Sequence, residues 1–178
     1  MPTQELIPIR FALNGRTVEA RVPPGMTLLE LVRREFRLTA AKEGCGKGEC
    51  GACTVLLNDQ PINSCLKLAA SLRPTDRVVT LEGLADDPLM VTIQKAYVAE
   101  GAVQCGFCIP GMVMSSYHLL RTHPQPSAAQ IKEFHSGNLC RCTGYAKIEK
   151  AVAKAAAAAA TSGQPAGGPA PEPRKETR

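Results

Sequence analysis

The chain has no tryptophan, and only three tyrosines and four phenylalanines among its 178 residues. A sequence this poor in rings offers few platforms for stacking bases, and no dense lysine/arginine run stands beside them, so no nucleic-acid partner is expected. Long apolar runs are also lacking. The longest, Ala155 to Ala160, is far short of the roughly 20 residues that span a bilayer. The opening "MPTQELIPIRFALNG" has no basic head followed by an apolar stretch, the pattern of a secretory signal. These absences predict a cytoplasmic chain without a direct membrane span, leaving open export alongside a folded partner. With 44% apolar and 21% charged residues the chain is ordinary for a globular protein and can bury a core.

Cysteine is not lacking. There are eight, and four of them fall within "GCGKGECGACTVLLNDQPINSC", residues 44–65. Four disulfides would call for an oxidising compartment and a small staple-dependent fold, and neither condition is met. Clustering at ligand-like spacings points to metal instead.

Around these cysteines the pattern is that of an α+β protein. "IPIRFALNGRTVEARV" alternates about Asn14-Gly15, a dipeptide suited to a tight hairpin turn. Thr27 and Glu30 make a capping box at the head of the amphipathic "LLELVRREF". "TVLLN" and "RVVTLEG" read as strands, and turn-forming residues collect at "GLADDP". Beyond that point the period changes to about 3.6. "MVTIQKAYVAEG", "GMVMSSYHLLRTH", "SAAQIKEFH" and "YAKIEKAVAKAAAAAA" each fit a helix, Pro110 sits at a first helical position, and Ser127 with Gln130 makes a second capping box. The expected division is residues 1–83, an α+β domain; 84–160, a four-helix domain; and 161–178, a flexible tail whose four prolines and three glycines cannot build a core.

Cys45, Cys50, Cys53 and Cys65 are spaced C-x4-C-x2-C-x11-C, and the first three match the plant-type [2Fe-2S] pattern. The glycines between them let a loop curl closely around a compact inorganic core. Cys105 and Cys108, in "QCGFCIPG", with Cys140 and Cys142, in "NLCRCTGY", supply a second set of four thiols in two close pairs. Taken alone this second set also suits a structural zinc. Each pair precedes a predicted helix, so two partial positive helix ends face one bound group and favour an anion. A [2Fe-2S] core with four thiolates is such an anion, at about −2 when oxidised. Two of them bring the formal +5 of the chain to about +1, and one further electron on each brings it to about −1. The basic excess therefore balances clusters and does not advertise a polyanion partner.

"GCGKGECGACTV", "QCGFCIPGMVM" and "SGNLCRCTGY", in this order and using all eight cysteines, resemble the small iron-sulfur subunit of the molybdenum hydroxylases, the family of xanthine oxidase, aldehyde oxidoreductase and aerobic carbon monoxide dehydrogenase. The resemblance runs from about residue 6 to about residue 152. It implies a plant-ferredoxin-like β-grasp domain followed by a C-terminal four-helix bundle with pseudo-twofold symmetry, each holding one [2Fe-2S] cluster. It further implies a molybdopterin centre, in its cytosine dinucleotide form, in a large partner subunit, and FAD or another acceptor beyond a medium subunit. A hetero-oligomer follows, such as a dimer of heterotrimers. By the same resemblance Gln104 hydrogen-bonds the pterin, and Cys142 touches it while ligating iron; otherwise Gln104 is a helix cap. The chain itself has no catalytic residue and relays electrons outward from the molybdenum centre. The alternative is a free-standing two-cluster ferredoxin.

His135, His118 and His123 are read as surface or packing residues and not as ligands, because the cysteines already complete two sites. Tyr117, Tyr145, Met112 and Met114 are expected in the core. The residues after Tyr145, "AKIEKA", depart from the family's commoner forms without changing a ligand.

Overall fold

The computed structural model describes residues 5–162. Two strands open the chain, β1 (Ile7–Leu13) and β2 (Arg16–Val22), paired antiparallel in full register from Ile7 opposite Val22 to Leu13 opposite Arg16. The turn between them is the expected Asn14-Gly15, with φ of 49° and 73°, the left-handed pair that a two-residue hairpin requires. Thr27 caps the next helix as predicted. Its hydroxyl accepts from the Glu30 amide at 3.2 Å while Glu30 Oε2 accepts from the Thr27 amide at 3.0 Å.

That helix is less regular than its amphipathic pattern suggests. α1 (Leu28–Glu30) is a single α-turn that widens into a π-helical turn over Leu31–Glu35. The Arg33 guanidinium then donates to the carbonyls of Thr39 and Ala41, at 2.9 and 2.6 Å, which ties the turn to the chain entering the cysteine loop.

Three strands complete the sheet, β3 (Thr54–Leu57), β4 (Gln60–Asn63) and β5 (Arg77–Val79), in the order β2-β1-β5-β3-β4. All pairs are antiparallel except β1 with β5. β4 was not expected. Its turn is Asn58-Asp59, both at positive φ without a glycine, and Pro61 lies within the strand, which is tolerated because β4 is at the sheet edge. "RVVTLEG" forms a strand only to Val79, and Leu81–Leu84 is a 3-10 turn. Phe11, Val22, Leu28, Leu31, Val55 and Val78 belong to one apolar core between the sheet and α1.

A second core follows, built on α2 (Pro88–Ala99), α3 (Ile109–Thr122), α4 (Ala128–Phe134) and α5 (Ala146–Thr161). α2 packs on α3 and α5, and α4 packs on both α3 and α5. Met112, Met114 and Tyr117 are buried there, as expected, with Ile93, Ile148 and Val152. Ser127 and Gln130 form the second capping box. α3 also packs against β3 and β4, so the two cores meet. No helix among the described residues is long and apolar enough to cross a membrane. Residues 163–178, most of the expected tail, lie outside the described residues.

Candidate metal centres

The first cysteine loop leaves the π-helical turn and returns to the sheet at β3. Cys45 lies in its early part, where the amides of Lys47 and Glu49 each donate to Cys45 Sγ at 3.3 Å. The Lys47 amide foremost, with those of Cys50 and Glu49, holds the Cys45 thiol down at about 6. Cys53 is buried just before β3, and Cys65 follows β4. Burial, reinforced by the neighbouring Cys53, pushes Cys65 up to about 11. Cys45 and Cys50 interact directly, and Cys65 feels both Cys53 and Cys45, so the four thiols share one neighbourhood. Asn63 at the end of β4 braces the loop by donating from Nδ2 to the Gly48 carbonyl at 2.7 Å.

The other four cysteines pair across the two motifs. Cys142 Sγ lies 3.6 Å from Cys105 Sγ, and both residues are exposed. Cys108 pairs with Cys140; burial first, then that neighbour, pushes Cys108 up to about 12. At Cys140 burial opposes ionisation, but the Thr143 hydroxyl, donating to Sγ at 3.1 Å, and nearby amides outweigh it and lower the thiol. As the spacing predicts, each pair stands at a helix start. Cys108 is the N-cap residue of α3, with Pro110 in its first turn, and Tyr145, at φ 67°, is that of α5. Each pair thus precedes the partial positive end of a helix.

The two sets of thiols are joined by backbone. The Leu139 amide, one residue before Cys140, donates to the Cys50 carbonyl at 2.9 Å. Gly111 in α3 sits so close beneath that a Cβ there would run into the Gly51 carbonyl oxygen.

Gln104 is exposed beside Cys105, and because Cys108 caps α3, Gln104 is not a helix cap. His135 is buried at 4% exposure, its Nδ1 2.9 Å from the Ile131 carbonyl and its Nε2 3.0 Å from Ser116 Oγ, so both ring nitrogens are engaged within the protein. His118 is half-buried with Nδ1 3.1 Å from the Asp59 carbonyl, and His123 is exposed. Tyr145 does more than pack, since its hydroxyl accepts from the Cys140 amide at 2.9 Å. Reading by spacing overlooked that bond, together with Thr143, Asn63 and Asn138. Their one sequence signal is position beside a cysteine.

The donor set fits iron-sulfur chemistry: eight free thiols, amides aimed at sulfur, and helix ends that favour an anion. In the second set the thiols pair two by two, Cys105 with Cys142 and Cys108 with Cys140, which suits a core of two irons.

Comparison with known proteins agrees. Residues 11–77 match the family described as 2Fe-2S iron-sulfur cluster binding domain, and residues 80–153 match the [2Fe-2S] binding domain. The chain is 45% identical over 146 residues to the nicotinate dehydrogenase small FeS subunit of Eubacterium barkeri, covering 82% of this chain and 92% of that one. It is 45% identical over 154 residues to aldehyde oxidase 1 of Rattus norvegicus, where the match takes in 78% of this chain but only 11% of the larger protein. Among solved structures, quinoline 2-oxidoreductase from Pseudomonas putida 86 superposes with a TM-score of 0.83 at 38% identity, covering 91% of this chain and 99% of that one. With both cysteine regions matched and a separate subunit covered almost end to end, the chain belongs to the small iron-sulfur subunits of the molybdenum hydroxylases.

Proposed function

We propose that this chain is the electron relay of a multi-subunit molybdenum hydroxylase, with one [2Fe-2S] cluster on Cys45, Cys50, Cys53 and Cys65 and the other on Cys105, Cys108, Cys140 and Cys142. Held by these thiols, the clusters would supply one-electron storage. The observation that carries the reading is the 2.9 Å bond from the Leu139 amide to the Cys50 carbonyl, which joins two loops that each end in cysteines.

The chain's own residues bind, orient and shield. The Lys47 and Glu49 amides stabilise negative charge on Cys45, and Thr143 does so on Cys140. Cys53 is buried and Cys108 half-buried, so each site has one thiol set back from the surface. The exposed Cys105–Cys142 pair, with Gln104 beside it, is the face turned towards the molybdopterin of a large subunit, whose cofactor takes the cytosine dinucleotide form. Gln104 and Cys142 contact that pterin. The first loop faces the exit, to FAD in a medium subunit, within a dimer of heterotrimers in the cytoplasm. The helical domain is a four-helix bundle with a pseudo-twofold axis, and the domains divide near residue 83. What supports the division is that the buried apolar residues fall into two cores, one from before residue 83 and the other, Leu56 of β3 apart, from beyond it.

Isolation of the native complex tests the reading. Expected are larger chains, molybdenum, flavin, about four irons per copy of this chain and two distinct reduced [2Fe-2S] EPR signals. A protein that purifies alone with both signals would support the free-standing ferredoxin instead. A colourless, zinc-loaded product would overturn both.

A further inference from the structure

Between the two cysteine loops lies a side chain to which cluster ligation assigns no part. Asn138 is 5% exposed, and all of its carboxamide is used. Oδ1 accepts from Ser115 Oγ of α3 at 2.7 Å, and Nδ2 donates to the Gly51 carbonyl at 3.1 Å, with Thr54 Oγ1 at 3.4 Å. The Asn138 amide itself donates to the His135 carbonyl at 3.0 Å. One carboxamide thus ties together the helical core, the strand leading from Cys53, and the peptide between Cys50 and Cys53.

The direction of these bonds is fixed by chemistry. A carbonyl only accepts, so the Asn138 atom facing Gly51 O must be the NH2 group. The Thr54 hydroxyl donates to the same Gly51 carbonyl at 2.7 Å, so its oxygen remains free to accept from Asn138. Ser115 then supplies the donor that the Asn138 oxygen needs, and no flipped amide satisfies the set. The neighbouring backbone leaves no slack. Gly51 is at φ 66°, and a Cβ there would strike Asn138 Nδ2 and the Gly137 carbonyl. One residue on from Asn138, the Leu139 amide reaches Cys50; one residue on from Cys50, Gly51 receives the side chain.

We infer that Asn138 is the positioning residue that sets the separation and orientation of the two clusters, acting through Gly51 and Leu139 and touching neither core. This inference rests on the proposed assignment of the eight cysteines. Because Asn138 is buried and fully bonded, replacing its NH2 by an oxygen turns an attraction to the Gly51 carbonyl into a repulsion while volume is nearly unchanged. The two loops must then part. Magnetic coupling between two paramagnetic centres and electron exchange between them both fall steeply with separation, whereas the potential of either centre depends on its own surroundings.

The test uses the assembled holoenzyme with both clusters reduced. Wild type is expected to show mutual splitting of its two EPR signals at low temperature. Asn138→Asp is expected to keep full iron content and both signals but to lose most of the splitting, with slower reduction of the outer cluster by substrate. Ser115→Ala, which removes only the donor that orients the carboxamide, is expected to change the splitting less and in the same direction, and it serves if Asn138→Asp does not assemble. Unchanged splitting in either fully loaded variant overturns the inference. Failure of the underlying assignment looks different: wild type itself would then lack two [2Fe-2S] signals.

Discussion

The Leu139 amide donates to the Cys50 carbonyl across 2.9 Å, joining residues 89 positions apart in the chain. Cys50 is itself a proposed ligand, and Leu139 is one peptide unit from another, Cys140. Two sites that border different apolar cores are therefore joined by a backbone hydrogen bond. A rigid join of this kind makes the two cysteine loops one mechanical unit, although each is folded by its own local signals.

The assignment of the two sites predicts selective losses. Cys50→Ser in the assembled enzyme is expected to remove one EPR signal and to impair turnover with the terminal acceptor while substrate still reduces the other cluster. Cys142→Ser is expected to interrupt the first transfer, seen as slow reduction of both clusters by substrate in stopped-flow absorbance. Loss of the same signal in both variants would contradict the division of ligands.

Two glycines make a matched pair. A Cβ at Gly111 meets the Gly51 carbonyl oxygen and the Gly51 and Ala52 backbone, none of which can swing aside, so Gly111→Ala is expected to cost about 1–3 kcal/mol. Gly25 has nothing within 4 Å of such a Cβ, and its φ is not in the left-handed region. Gly25→Ala is expected to be neutral or to stabilise by up to about 1 kcal/mol, through the unfolded chain. Urea unfolding of the loaded protein compares them.

Asp87 serves two elements. Its Oδ1 accepts from the Met90 amide at 3.0 Å as the N-cap of α2, and its Oδ2 accepts from the Tyr117 hydroxyl of α3 at 3.1 Å. Asp87→Ala is expected to lose about 0.5–2 kcal/mol from the cap, with a further loss from the Tyr117 bond. Asp87→Asn, which keeps an acceptor for the cap, should lose less in the same denaturation experiment.

Burial lowers the His135 pKa, against weaker opposing effects from the Ile131 and Met112 backbone and the Glu149 carboxylate. In the window between its folded value and the ordinary value of about 6.5 the unfolded chain binds more protons, so stability rises with pH there. The contribution is complete above that ordinary value and is lost as pH falls. His118 is lowered in the same sense, also by burial. The thermal midpoint is expected to fall between about pH 7.5 and about pH 5.5, and His135→Gln is expected to flatten part of that fall. An identical slope in the variant would show that His135 does not contribute.

What the chain revealed before folding was whatever depends on neighbours in sequence. The Asn14-Gly15 hairpin, the capping boxes at Thr27 and Ser127, and the pairing of cysteines with helix starts are all local, and all are found. β4 was hidden because Asn58-Asp59 lacks the glycine that usually marks such a turn, and Pro61 reads against a strand unless the strand is known to be an edge. The π-helical turn at Leu31–Glu35 was hidden because its apolar period is close to that of an α-helix; its long-range partners, Thr39 and Ala41, are invisible to a periodicity. Asn138 was hidden for a related reason. Nothing near it in sequence says that its side chain reaches Gly51, 87 positions earlier.

Cys105 and Cys142 stand at the surface with Val103, Phe107 and Leu139 exposed nearby, Phe107 at 48% and Leu139 at 54%. In the proposed assembly it is this face that the large partner would cover. The consequence of that reading is one of chronology: the cofactor would be inserted before the subunits dock, and exchanged only by taking the enzyme apart.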